Sequence, residues 1–323
     1  MVNDMSFDRM IEKIVELQNP TVAGLDPKLA FIPEYIKEEA FAKYGKTLDG
    51  AAAAILEYNK GLIDALCDIV PSIKPQAAYY EMYGWQGVKT LAETIAYAQE
   101  KGMFVMTDGK RNDIGATMEA YATAHLGETD VAGEKIEAFG ADALTVNGYL
   151  GSDGINPLVK VCQEKDKGII VLVKTSNPSS GELQDMKFED ERTVYNVMGE
   201  MCEKWGESLP GKYGYSGVAA VVGATYPAML TELRAKLTKT FFLVPGYGAQ
   251  GGGAADVAGA FDENGLGAII NSSRAIMTAW QKDAWKAEHD EKDYALAARA
   301  EAIRMRDEIA AYLPKKNGKA FNL

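Results

Sequence analysis

Eight short apolar runs, each closed by Gly, Pro or polar residues, punctuate the 323-residue chain. They are TVAGLDP (21–27), DIVPSIKPQ (68–76), MFVMTDGK (103–110), ALTVNGY (143–149), GIIVLVKTS (168–176), GVAAVVGA (217–224), FFLVPGYG (241–248) and LGAIINSS (266–273). Their middles are nearly all apolar rather than alternating. Strands covered on both faces read this way, as in parallel sheets flanked by helices. Helical periodicity fills the gaps. Val88, Leu91, Ile95 and Ala98 recur at three- and four-residue steps, with Gly102 as a stop. Val194, Val197, Met201 and Trp205 form a second stripe. In a third segment Thr225 is placed to cap, Pro227 suits a first turn, and Leu230, Leu233 and Leu237 face inward. Strand-then-helix units in this number predict an α/β fold, a (β/α)8 TIM barrel, with an open doubly wound sheet as the alternative. No domain linker is visible, so residues 1–323 are read as one domain with barrel strands over 21–273. The excess length falls in an N-terminal helix (5–18), a long crossover (28–67) and a C-terminal helix (292–313). NPSSGELQD (177–185) reads as a loop over the barrel mouth, and PKKNGKAFNL (314–323) as a weakly ordered tail.

Composition narrows the function. A net charge of −12 and a pI near 4.9 argue against a nucleic-acid or anionic-membrane partner, which calls for a basic face. A small anionic ligand stays open, because one pocket can be locally positive. Cys67, Cys162 and Cys202 lack CxxC spacing, which points to a reducing compartment without a disulfide framework. MVNDMSFDRM lacks the basic start and apolar core of a secretory signal, and no apolar stretch is long enough to span a bilayer. A cytoplasmic location is expected.

Chemistry in a barrel collects at the C-terminal ends of the strands. There the runs carry Asp26, Lys74, Asp108, Lys110, Asn147, Lys174, Thr175, Ser176, Pro245, Gly246, Ser272, Ser273 and Arg274, with Asp113 and Gln250 just beyond. They sort into two halves. PGYGAQGGG (245–253) lets backbone N–H groups approach an anion, and SSRAIM (272–277) sets two serines and an arginine at a helix start. The loops after strands 7 and 8 are where barrels often hold phosphate. Taken singly, these pieces are a flexible loop and a surface arginine. The other half is a Lys74–Asp108–Lys110–Asp113 array. Asp108 and Lys110 stand two apart and so share a face. Opposite neighbours would hold each of the four in its charged form. Its plainer reading is a structural ion-pair network, but a costly buried array is retained where perturbed charges do a task. The two histidines, His125 and His289, read as structural or exposed. Asp26, Asp108 and Asp113 could hold Mg²⁺, yet two lysines nearby compete with a cation. Lys110 is then the candidate proton donor, and Asp108 a fixed charge that repels an anionic substrate group.

DGKRNDIGAT (108–117) resembles the Asp-x-Lys-x-x-Asp signature of the orotidine 5′-phosphate decarboxylase family. GLDP, IKPQ, KTSNPSS, VPGYGAQGGG and NSSRAI match in order and position across residues 21–277, and their wording is similar to the longer bacterial (type 2) subgroup. The resemblance implies cofactor-independent decarboxylation of orotidine 5′-phosphate to uridine 5′-phosphate in de novo pyrimidine biosynthesis. It implies that Asp26 binds the ribose hydroxyls and that Lys74 sits in the charged array. Asp108 would destabilise the substrate carboxylate, and Lys110 would stabilise and protonate the carbanion. Ser176 and Pro245 would contact the base. Gln250 and Arg274 would hold the phosphate, together with the backbone around Ser273. Asp113 and Thr117 would reach into the partner's site of a homodimer. One departure stands out: Ser273 replaces the family's usual glycine before the phosphate arginine. The rival readings are a Mg²⁺-dependent sugar-phosphate decarboxylase or aldolase of the same superfamily, and a non-catalytic binder of phosphorylated nucleosides. Lys74, standing where the metal enzymes carry an acidic ligand, argues against the first.

Overall fold

A computed structural model describes residues 6–248 and 251–323. All eight apolar runs are strands: β1 (Thr21–Leu25), β2 (Ser72–Pro75), β3 (Phe104–Arg111), β4 (Ala143–Val146), β5 (Gly168–Lys174), β6 (Val218–Val222), β7 (Phe242–Val244) and β8 (Ala268–Ser272). They pair in parallel and close on themselves in the order β1-β8-β7-β6-β5-β4-β3-β2. The architecture is therefore the (β/α)8 barrel, and the open sheet is ruled out. Register places Gly24 beside Lys74 and Val22 beside Asn271.

The long helices are α1 (Ser6–Leu17), α2 (Glu34–Tyr44), α3 (Leu48–Leu66), α4 (Gly84–Glu100), α5 (Gly115–Leu126), α6 (Ser152–Lys165), α7 (Val194–Gly206), α8 (Pro227–Lys236) and α9 (Tyr294–Ala311). Among the described residues no helix is long and apolar enough to cross a membrane. α1 packs at the end of the barrel where the strands begin: Phe7 stacks on Phe241 at 5.9 Å and approaches Phe104 at 6.0 Å. Capping fixes several starts. The Thr47 hydroxyl accepts the Gly50 N–H at α3, and Thr193 with Asn196 forms a capping box at α7.

Three expectations need correction. The buried face of α7 is Tyr195, Gly199, Cys202 and Trp205, so only Trp205 of the expected stripe is fully inward. Thr225 does not cap α8; its hydroxyl donates to the Ser176 carbonyl instead, although Leu230, Leu233 and Leu237 are buried as expected. The tail is held in place: Phe321 is buried, the Gln18 amide donates to its carbonyl at 2.7 Å, and the Asn322 N–H donates to the Asn264 carbonyl.

The seventh and eighth units carry single turns, Ala254–Val257 and Arg274–Met277, where the regular pattern has full helices. α9 covers the gap. Tyr294, Ala298 and Ala302 join the core built by Leu62 and Ile63 of α3. Buried Glu301 accepts from Lys282, Trp285 and Arg304, which ties the segment after β8 to α9. An antiparallel hairpin, Thr129–Val131 with Glu134–Ile136, projects after α5 and was not expected from the sequence.

His125, as expected, is structural: it is buried on α5 and stacks on Phe139 at 4.8 Å. Burial first, and the Arg111 charge second, lower its pKa from 6.5 to about 4. The unfolded chain takes up this proton near the ordinary pKa, whereas the folded chain resists it. Stability from this site is thus complete above the ordinary histidine range and erodes as pH falls toward 4, by roughly 3 kcal/mol in total. In urea unfolding, His125→Phe should lose less stability than the parent between about pH 7 and pH 4.5. Equal losses would show that this histidine does not set the acid sensitivity.

Candidate active site

The strand ends open into a cavity of about 680 Å³. Asp108 is its electrostatic centre. Oδ1 accepts from Lys110 Nζ at 2.6 Å and Thr145 Oγ1 at 2.8 Å; Oδ2 accepts from Lys74 Nζ at 2.8 Å and Gln76 Nε2 at 2.9 Å. These donors occupy the roughly four lone-pair sites that a carboxylate offers. Asp108 is 7% exposed. Burial alone would raise its pKa, but the Lys74 and Lys110 charges and their hydrogen bonds hold it well below the aspartate range. Lys74 is 3% exposed. Burial works against its charge, but Asp108 and then Asp26 outweigh it, so the ammonium is held above the ordinary lysine range.

Lys110 reaches the cavity by an irregular route. Pairing of β3 with β4 shifts register between Thr107 and Arg111, and Lys110 has φ of +47°. An L-residue there bears about 1–2 kcal/mol of strain. Asp108 and Lys110 do share a face, as their spacing predicts, but a bulge sets the geometry rather than a regular pleat. The Lys110 side chain remains 47% exposed and lines the cavity.

Asp113 does not join this array within one chain. Its carboxylate accepts the Ile114 N–H at 2.8 Å at the start of α5. Neither Asp113 nor exposed Thr117 lies on the cavity wall. Asn147 also turns to local work, accepting the Tyr149 N–H.

Pro245, Gly246, Ser273 and Arg274 line the same cavity, with Asp26 and Ser176. Gln250 lies outside the described residues. Arg274 is exposed and opens a helix of a single turn, so its guanidinium, rather than a helix dipole, supplies the positive charge. The departure at Ser273 has a structural counterpart. A Cβ at Gly24 would lie 1.8 Å from the Ser273 hydroxyl, so the glycine on β1 makes room for the serine just past β8. Asp26 Oδ1 and Asn271 Oδ1 are buried without a partner among the described residues. Both residues line the cavity, and both oxygens can take a hydroxyl donor.

Lys174 is enclosed in the wall rather than presented to ligand. Its ammonium donates to Ser180 Oγ at 3.1 Å and Asp185 Oδ1 at 2.6 Å, and lies 4.4 Å from the Tyr226 ring centroid. These contacts tie the 177–185 loop to the end of β5. Gly223 lets Ser176 seat closely, since a Cβ there would meet the Ser176 backbone at 2.9 Å. Gln76, Thr145, Asn271 and Tyr247 were not singled out in the sequence. Gln76 stands two residues past Lys74 and so shares its face, a signal that was available.

The orotidine 5′-phosphate decarboxylase / HUMPS family model matches residues 51–287. The chain belongs to this family. An orotidine 5′-phosphate decarboxylase of Rhodopirellula baltica is 43% identical over 92% of this chain and 96% of its own length. The Clostridium perfringens protein of the same name is 40% identical over 94% and 98%. Among solved structures, Leishmania donovani OMP decarboxylase superposes with a TM-score of 0.72 at 30% identity, covering 95% of this chain and 98% of its own. Within the orotidine 5′-phosphate decarboxylase family fold, this chain's Asp108 is the residue on which two lysines depend. Asp108→Asn leaves Lys74 buried without its counter-charge and should lower stability by about 3–5 kcal/mol, read by urea unfolding near neutral pH. A loss under about 1 kcal/mol would mean that Lys74 finds another partner or sheds its proton at little cost.

Proposed function

We propose that this chain decarboxylates orotidine 5′-phosphate to uridine 5′-phosphate, the step that completes UMP in pyrimidine biosynthesis, with Lys110 as proton donor and no cofactor. The observation that carries this reading is the buried Asp108 held between Lys74 and Lys110 in the cavity that also presents Arg274. A phosphate on Arg274 and ribose hydroxyls on Asp26 would direct the ring's carboxylate toward Asp108. That carboxylate cannot take a hydrogen bond from Asp108, which carries no proton, so the bound substrate is raised in energy relative to a transition state that is losing CO₂. The carbon–carbon bond breaks, its electron pair stays on the ring carbon, and CO₂ leaves. The Lys110 ammonium stabilises that charge in place and then transfers a proton to the carbon. Lys110 recovers its proton from solvent. Ser176 and Pro245 would face the base, with Gln250 and the backbone at Ser273 on the phosphate.

Asp113 and Thr117 suit a role in the second subunit of a homodimer. They flank the exposed start of α5, where Ile114 is exposed and Tyr149 and Leu150 offer further uncovered apolar surface. In this reading they complete the partner's site.

Purified protein should deplete the ultraviolet absorbance of orotidine 5′-phosphate in EDTA. Lys110→Ala should abolish turnover while still binding UMP in calorimetry. Activity restricted to a sugar phosphate plus Mg²⁺ would instead place the chain among the metal-dependent lyases and make Asp26 and Asp108 ligands. Arg274→Ala should weaken UMP binding by about 2–3 kcal/mol while leaving uridine binding nearly unchanged; equal effects on both would displace the phosphate from Arg274. The shared-site reading has its own check. Lys110→Ala and Asp113→Asn, each inactive, should recover turnover when mixed and allowed to exchange subunits. Continued inactivity of an exchanged mixture would confine each site to one chain.

A further inference from the structure

We propose that Thr145 is the positioning residue that fixes Lys110 against Asp108, an inference that rests on the decarboxylase reading of this cavity. Thr145 sits in the middle of β4 and is almost fully buried. Its hydroxyl accepts the Lys110 backbone N–H at 3.0 Å and donates to Asp108 Oδ1 at 2.8 Å. The direction of both bonds is forced, because an amide N–H can only donate and an ionised carboxylate can only accept. One hydroxyl therefore links the backbone of the proton donor to the side chain of the fixed charge.

This link stands where the ladder fails. β3 and β4 pair at Thr107↔Leu144 and again at Arg111↔Val146, with the register shifted between them. Lys110 falls inside that gap, so a threonine side chain takes its N–H in place of a strand carbonyl. The left-handed backbone also needs a restraint. Gln18, Lys110, Ala132, Asp166, Glu191 and Asn317 are the described non-glycine residues with positive φ. Lys110 is the one of these that lies within a strand; the others lie in turns, loops or helix ends. A lysine holds such a conformation only when its surroundings over-determine it. The bond from its own Nζ to Asp108 is a weak restraint on the backbone, because it acts through a flexible four-carbon stem. The Thr145 hydroxyl remains bonded to the backbone throughout. It thereby holds the Lys110 backbone to one geometry and shares Asp108 Oδ1 with the Lys110 ammonium.

The test compares Thr145→Val, which keeps the β-branched shape and removes the hydroxyl, with Thr145→Ser, which keeps the hydroxyl. Thr145→Val should lower kcat by about 10- to 100-fold, the scale of a misplaced reacting group, with KM for orotidine 5′-phosphate close to the parent value. Thr145→Ser should recover most of kcat. Crystal structures of both variants read the bulge without reference to turnover: Lys110 should leave the left-handed region in the valine variant and keep it in the serine variant. The proposal falls if Thr145→Val retains the parent kcat, if the loss lies in KM alone, if serine is as slow as valine, or if Lys110 keeps its positive φ in both structures. An unmodified chain without turnover on orotidine 5′-phosphate would sink the functional reading instead, and the two crystal structures would still decide the role of Thr145.

Discussion

Everything at the barrel mouth is arranged around one buried carboxylate. Removing Asp108 from water is unfavourable by several kcal/mol unless its oxygens are fully taken up, and the chain answers with donors from three strands. Lys74 and the bridging Gln76 come from the end of β2, Lys110 from within the β3 bulge and Thr145 from β4. Each donor is fixed by the register of its strand, so the pairing of β2, β3 and β4 and the charge state of the site are one constraint. The chain cannot relax the bulge or shift a strand without leaving a charge unpaired. This also accounts for the irregularity of β3. A regular strand would satisfy its own backbone, whereas this one gives up ladder bonds to aim Lys110 at Asp108.

The second half of the chain supplies the rest of the cavity lining. β7 and β8 deliver Pro245, Gly246, Ser273 and Arg274, and behind them the regular helices are cut to single turns. α9 supplies the missing support at two points. Tyr247, the residue after Gly246, donates to Glu308 at 2.8 Å, and Glu301 on the same helix holds Lys282 and Trp285 of the segment that follows Arg274. Glu301 and Glu308 both pair with Arg304. A C-terminal helix that reads in the sequence as an addition to the barrel is thus a common brace for both loops that carry these cavity residues.

How much of this was legible follows from the physics of each element. The barrel strands were, because strands buried on both faces must be apolar throughout and must end where polar residues begin. The charged positions in the cavity were, because Lys74, Asp108 and Lys110 are charges placed where an apolar run ends, which a chain rarely does without use for them. Thr145 and Gln76 were harder to see, since their importance lies in which atoms they reach across the barrel, and one threonine in an apolar strand is ordinary by composition. The hairpin Thr129–Val131/Glu134–Ile136 escaped because it is short, charged and exposed, so no apolar pattern marks it. The tail read as loose because PKKNGK is polar, but Ala320 and Phe321 behind it find a buried seat. Asp113 was read into the array from its spacing but turns to the Ile114 N–H instead, and Thr117, one exposed threonine on α5, could be named only through family resemblance.

Three lysines near the strand ends show how environment divides labour among identical side chains. Lys74 is buried against Asp108 and close enough to Asp26 to feel its charge, which leaves it as a fixed counter-ion. Lys174 is buried as fully, but its partners are Ser180, Asp185 and the Tyr226 ring, so its charge fastens a loop. Lys110 alone of the three keeps much of its side chain open to the cavity, with one bond to Asp108. An ammonium has three protons to offer. Lys110 commits one of them within the protein, so it is the cation with protons directed at whatever enters, and it is held against a carboxylate that cannot accept its proton at working pH. The proposed reaction calls for a donor that is oriented and incompletely satisfied at once, and the geometry leaves Lys110 free for that role because Lys74, Gln76 and Thr145 also satisfy Asp108.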